Sequence, residues 1–252
     1  MKKHLPILTA AVLCLGLAPA FAQFGQMPRG SQFDGAMAKL FGDNTAFSAA
    51  LETRIQPKAG DLITMPGKLT FDGGQTRLEI NLSDAKGLKM PPNAAEQMKS
   101  MGLDQMITIS IPEKKSFYLI YPGLQSYVEN PLKETAAGTN QNFKVETTEI
   151  SKETVDGHPC VENKVVVTDD KGVTHEYTVW NATDLKNFPV KIFHAEKGAE
   201  ITMLFTGVSL AKPAASAFEA PAGYTKYDDM QTMMQTEMMK QMGGGMGMPP
   251  GH

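Results

Sequence analysis

Phe47-Ser48-Ala49-Ala50-Leu51-Glu52-Thr53-Arg54-Ile55-Gln56 decides the fold class. Phe47, Ala49, Leu51, Thr53 and Ile55 fall on one side of an extended chain, and Ser48, Glu52, Arg54 and Gln56 fall on the other. The period is two, and one side is wet. Moving toward the C-terminus, residues 68–71 lead through Asp72-Gly73-Gly74-Gln75, a hairpin turn by its chemistry, into Thr76, Leu78, Ile80 and Leu82 alternating with Arg77, Glu79 and Asn81. The same reading predicts strands at 105–111, 116–121, 143–151, 161–168, 173–181, 190–195 and 200–209. Their connections carry turn residues, among them Pro112-Glu113-Lys114, Pro122-Gly123, Asp156-Gly157 and Asp169-Asp170-Lys171-Gly172. Links this short make an antiparallel meander rather than parallel βαβ units.

Two short helices interrupt the pattern. Residues 33–41 would bring Met37, Leu40 and Phe41 together. A second helix starts at Ala94, with Asn93 as its cap, Glu96 at the reciprocal capping-box position and Gly102 as its stop; Met98 and Met101 would then lie on the sheet. About nine strands with one apolar side describe a mainly β, α+β fold. The expected architecture is a strongly curved antiparallel sheet or incomplete β-barrel with helices packed in or on its concave face, or a closed barrel. The polar stretch 130–142 is the expected boundary between two halves of that sheet.

The N-terminus reads as an export signal. Met1-Lys2-Lys3-His4 is followed by an apolar run to Leu17 and by Ala18-Pro19-Ala20-Phe21-Ala22, a small-x-small cleavage site before Gln23. The run is too short for a membrane-spanning helix, which needs about 20 apolar residues. Residues 1–22 are therefore expected to be a signal peptide, with the mature protein periplasmic or secreted. Cys14 lies inside the apolar run behind Leu13, a poor context for lipidation. Loss of Lys2 and Lys3 takes the 24 basic residues to 22 against 27 acidic, a mildly acidic balance that gives no electrostatic reason to bind nucleic acid or an anionic membrane surface. Cys160 is then the only thiol, so no disulfide forms within the chain and stability has to come from a core. The expected organisation is 23–45, an N-terminal segment with a short helix; 46–228, the curved β domain; and 229–252, a Met-rich helix with a disordered Gly/Met/Pro tail.

No Gly-x-Ser-x-Gly, phosphate loop, dinucleotide fingerprint or His-Glu-x-x-His occurs. His158-Pro159-Cys160 sets an imidazole near a thiol but offers two ligands where zinc wants three or four, and it reads as a turn followed by a small buried residue. His175 and His194 alternate with apolar neighbours and read as sheet residues. No enzyme and no cofactor are predicted. The C-terminus is richer. Met230, Met233, Met234, Met238, Met239 and Met242 precede a Gly/Met/Pro run ending at His252, and eight of the 17 methionines lie there. Thioethers are soft ligands, so these residues could hold Cu(I). Their three- and four-residue spacing equally suits a flexible helix face packed on the domain, or an adaptable contact for a lipid or partner.

Three stretches together resemble the LolA/LolB-like lipoprotein-carrier superfamily and the uncharacterised secreted bacterial domains grouped beside it. They are Met65-Pro66-Gly67-Lys68-Leu69-Thr70-Phe71 leading to Thr76-Arg77-Leu78-Glu79-Ile80; Lys114-Lys115-Ser116-Phe117-Tyr118-Leu119-Ile120-Tyr121-Pro122; and Phe188-Pro189-Val190-Lys191-Ile192 with Phe205-Thr206-Gly207-Val208 and Phe218-Glu219-Ala220-Pro221-Ala222-Gly223-Tyr224. The resemblance covers roughly residues 45–228 and implies an incomplete barrel lined with apolar side chains that holds acyl chains in transit. The Met-rich tail departs from that pattern. On this reading the ligand is an acyl chain, lipid or lipoprotein, with no nucleic acid and no integral membrane span. The candidate cavity residues are Leu51, Ile55, Leu78, Ile80, Ile107, Ile109, Val179, Ile192 and Phe205. The same alternation also suits a filled core or a structural envelope domain.

Overall fold

The computed structural model describes residues 35–243 apart from 92, 133–142 and 197, together with the side chains up to residue 240. The expected signal peptide, most of the segment before the first strand, part of the 130–142 boundary and the C-terminal tail with His252 lie outside the described residues.

Twelve strands form one sheet: β1 (Ala46–Pro57), β2 (Ile63–Asp72), β3 (Gln75–Asn81), β4 (Gln105–Ile111), β5 (Ser116–Tyr121), β6 (Ser126–Pro131), β7 (Lys144–Val155), β8 (His158–Thr168), β9 (Thr174–Ala182), β10 (Phe188–Glu196), β11 (Ala199–Ser209) and β12 (Thr225–Tyr227). Their order is β12-β6-β5-β4-β3-β2-β1-β11-β10-β9-β8-β7, so β1 pairs with β11 and the sheet ends in β12 and β7 without closing. All neighbours are antiparallel except β12 and β6. The sheet is therefore the open alternative of the two expected. Among the described residues, three α-helices accompany it: α1 (Gly35–Ala38), which runs into the 3₁₀ turn Lys39–Phe41; α2 (Ala94–Ser100); and α3 (Met230–Gly243). None of the described helices is long and apolar enough to cross a membrane.

The sheet is bent, and the sequence supplies the means. Open sheets beyond about 10 strands curl, split or flatten. Three strands here gain an extra residue: Val190 in β10, one residue of β11 between the partners of Ser48 and Ala50, and Ile150 in β7. Such bulges bend a strand and raise its twist. In β2, Pro66-Gly67 puts a residue without a ladder donor beside one without a side chain, and a Cβ on Gly67 would lie 2.6 Å from the Glu79 carbonyl oxygen. Phe47 of β1 and Phe188 of β10 have β11 between them, yet their ring centroids are 4.9 Å apart, so the two side chains converge over that strand.

Two local expectations change. Strands β6 and β12 add to the predicted set. Asn93 does not cap α2 through its side chain; it takes a left-handed conformation (φ 64°), and no capping box forms. The predicted Gly73-Gly74 hairpin is present, with Asp72 paired to Gln75.

Candidate functional site

Residues paired across a sheet share a face, so the register places every candidate. Leu51 of β1 lies between Phe205 and Gly67, and Ile55 between Ile201 and Ile63. Ile192 lies between Met203 and Val179. Leu69 and Gly67 of β2 meet Leu78 and Ile80. Leu51, Ile55, Leu78, Ile80, Val179, Ile192 and Phe205 therefore belong to one continuous face, called here the Leu51 face. Ile107 and Ile109 do not join them. They pair with Glu79 and Arg77, on the opposite face, and pack with Ile111 and Ile120 beneath Phe218. Arg77 fixes that cover by donating from a guanidinium nitrogen to the Ala217 carbonyl at 3.2 Å. The nine candidates thus divide into a set of seven and a pair in a separate small core.

The two ends of the Leu51 face differ. At one end the strands β1, β2, β10 and β11 bring Phe47, Phe71, Phe188 and Phe205 around Phe41, which follows α1. Phe41 stacks on Phe47 at 4.6 Å and meets Phe188 at 5.4 Å and Phe205 at 5.5 Å. All five rings are buried. The N-terminal segment is pinned there by Asn44, whose amide donates to the carbonyls of Phe41 and Lys186. This cluster closes the face at that end. Between it and the far end the face runs through Leu51, Met203, Ile192, Val179, Ile55 and Ile201, all buried, with buried Thr53 among them.

The far end is where β1 passes to β2, β8 to β9 and β10 to β11, as the pairings Ile55 to Ile63, Thr168 to Thr174 and Glu196 to Ala199 show. Here Leu62, Val145 and Val173 are exposed, three of the five large exposed apolar residues among those described. Buried His194 of β10 faces the ring of Tyr177 at 5.5 Å near this end, with a carboxylate oxygen of Glu196 3.8 Å from its Nε2. Leu78 and Ile80 are only half-buried.

On the β4–β6 side, the same face is covered by α2 and α3. Met233 is fully buried against Val128, Tyr121 and Met98, with Met230 and Met234 at its margin. Met238 is half-buried and Met239 points to solvent. The tail methionines are thus divided between core and surface, while Met242 and His252 lie beyond the described side chains. Glu237 anchors the helix. Its carboxylate accepts from the hydroxyls of Ser126 at 2.8 Å and Tyr227 at 2.7 Å and from the Lys240 ammonium at 2.9 Å. Burial pushes this carboxyl up, and the three hydrogen bonds outweigh it and hold it below the usual carboxylate range. Burial also pushes the Tyr121 phenol up to about 12. Nothing in the sequence pattern singles out the Ser126–Tyr227–Glu237 network, because Ser126 lies 111 residues from Glu237 in the chain.

The remaining titratable candidates are structural. Cys160 is buried in β8 and its thiol donates to the His158 carbonyl at 3.3 Å; burial pushes its pKa up, the opposite of what a nucleophile needs. The His158 ring pairs with Asp184 at 2.9 Å on the surface. No group of three His, Cys, Asp or Glu residues suited to a metal ion occurs among the described residues.

No family model and no curated protein matches the chain. Solved structures do. The fold is similar to that of LolA superfamily proteins. One from Nitrosomonas europaea aligns over 73% of this chain and 94% of its own at 8% identity, with a TM-score of 0.38. The lipoprotein LppX of Mycobacterium tuberculosis aligns over 71% and 96% at 13% identity, with a TM-score of 0.40. LprF from Mycobacterium bovis aligns over 76% and 94% at 14% identity, with a TM-score of 0.37. At these identities the LolA-like likeness is one of fold.

Proposed function

We propose that this protein is a non-enzymatic binding protein of the bacterial envelope that holds an acyl chain, as a lipid or as the lipid part of a lipoprotein, against the Leu51 face. The observation that carries the reading is the asymmetry of that face. It is a concave apolar surface closed at one end by five packed phenylalanines, while its other end is rimmed by exposed Leu62, Val145 and Val173. An acyl chain would lie along Leu51, Ile55, Val179, Ile192 and Phe205, which are buried in the structure, so the core has to part there to admit it, with half-buried Leu78 and Ile80 at one side. A site of this kind needs no catalytic group, and burial leaves Cys160 a poor nucleophile. The envelope location rests on the N-terminal signal read from residues 1–22.

Titration of palmitate into delipidated mature protein tests the reading. Saturable binding by the wild type is expected. Leu78→Glu, which sets a charge on the apolar path at a half-buried position, should weaken that binding at least 10-fold while leaving the far-UV circular dichroism unchanged. Equal binding by both proteins would contradict the placement of the ligand.

A further inference from the structure

The two edges of the sheet are unlike. Strand β12 is three residues long and is tied to α3 by the hydrogen bond from Tyr227 to Glu237. Strand β7 is twelve residues long, pairs with β8 alone among the described strands, and is exposed at every position from Lys144 to Thr154. It holds no proline, and it carries Val145 and Ile150, two of the five large exposed apolar residues among those described. Sheets usually keep their edges short, covered or interrupted, because a row of free backbone donors and acceptors invites another strand.

The side chains of β7 decide which strand fits. Val145 and Thr147 pair with Val167 and Val165, on the Leu51 face, while Lys144, Glu146 and Thr148 lie on the other. Ile150 is the extra residue of the bulge, so Ser151 and Glu153 return to the face of Thr148, and Lys152 to that of Val145. Residues opposed across two strands share a face, and opposite charges there stabilise while like charges destabilise. An antiparallel second copy of β7, laid on this edge with Thr148 on the two-fold axis and the bulge skipped, sets Lys144 opposite Glu153 and Val145 opposite Lys152. The symmetry makes each pairing twice. Centring the pair on Glu149 instead would set Glu149 against itself and Glu146 against Glu153. Centring it on Ser151 would crowd the two bulges together at the axis.

We propose that β7 is a self-association edge: two copies of this chain join by antiparallel β7–β7 pairing about Thr148, which continues the sheet from one copy into the other and sets both Leu51 faces on the same side. The pairing does not depend on a ligand. Sedimentation equilibrium of the full mature chain across the micromolar range tests it, with far-UV circular dichroism to show that each variant keeps the fold. The wild type should follow a monomer–dimer equilibrium. Lys144→Glu and Glu153→Lys should each weaken the dimer at least 10-fold, and the double variant, which restores opposite charges in both halves, should return to within about threefold of the wild type. Glu153 also accepts from the Trp180 indole, so this restoration, which a lost indole bond would not give, is the deciding comparison. Thr148→Cys should form a disulfide-linked dimer on mild oxidation, while Lys144→Cys and Ser151→Cys, whose positions do not meet their own copies, should stay unlinked. A wild type that remains monomeric throughout would overturn the proposal. So would a dimer that is indifferent to both charge reversals or not restored by the double variant, and so would cross-linking through position 151 rather than 148.

Discussion

Replacing Phe47 by alanine tests whether the closed end of the Leu51 face is a packed floor. The ring is fully buried in a central strand and lies 4.6 Å from Phe41, 5.3 Å from Phe71 and 4.9 Å from Phe188. Phe→Ala in a close-packed core costs about 3–5 kcal/mol, including the cavity left behind. Aromatic pairs contribute about 0.5–1.5 kcal/mol each beyond buried area, and three such pairs place this site in the upper half of that range, near 4–5 kcal/mol. Domains are stable by about 5–15 kcal/mol, so the variant keeps a fold with much of its margin gone. For a chain of this size each kcal/mol moves Tm by about 2–4 °C, giving a fall of roughly 8–20 °C. Urea and thermal denaturation of the mature protein, followed by far-UV circular dichroism, read both quantities. Phe47→Leu, which keeps most of the volume, should cost about 1–2 kcal/mol. An alanine variant less than about 1.5 kcal/mol below the wild type would show that the five rings do not form a packed floor.

Further outcomes follow from other sites. Gly67→Val should destabilise by about 2–3 kcal/mol in urea, since a Cβ there meets the Glu79 carbonyl oxygen at 2.6 Å and main chain has to move. Glu237 has a lowered folded-state pKa, so its contribution is complete above the unfolded glutamate value of about 4.3 and disappears as pH falls through the lower folded value; the wild type should therefore lose more stability between pH 5 and pH 3 than Glu237→Gln, read from urea midpoints. Tyr121 should ionise above the ordinary tyrosine range in an ultraviolet titration. Because its phenol stays protonated in the folded state up to about pH 12, its contribution is full below pH 10 and falls between pH 10 and 12. Cys160 should react with a thiol reagent at pH 7 at least 100-fold more slowly in the native protein than in urea, because the thiol is buried and its pKa is raised.

The sheet was legible because a strand with one wet side writes its period into the sequence, as 47–56 and 76–82 do. What alternation leaves out is parity. Leu78 and Ile109 each repeat every second residue, yet nothing local says that they point to opposite sides. The long connection 82–104, with α2 inside it, resets the parity between β3 and β4, and only the pairing of Arg77 with Ile109 reveals it. Strand β6 escaped notice because Ser126-Tyr127-Val128-Glu129-Asn130-Pro131 is short and ends in proline, and β12 because three residues carry no periodicity. The phenylalanine floor had a faint signal: Phe47 and Phe188 open strands, Phe71 closes one next to a turn, and Phe41 ends a helical segment. Their convergence depends on the bend of the sheet, which bulges and Pro66-Gly67 set and no spacing rule records. The methionines of α3 were legible as a helix face. That the face meets four further methionines from residues 90–106 is a tertiary fact.

The central claim is that the Leu51 face holds an acyl chain. Native mass spectrometry of the mature protein, purified from a bacterial periplasm without detergent and followed by organic extraction, addresses it most directly. The account predicts a bound mass that leaves with the organic phase and is identified as lipid, with Leu78→Glu emerging lipid-free from the same preparation. A wild-type protein that carries no such mass, and stays at its apo mass when lipids and lipopeptides are added, would contradict it.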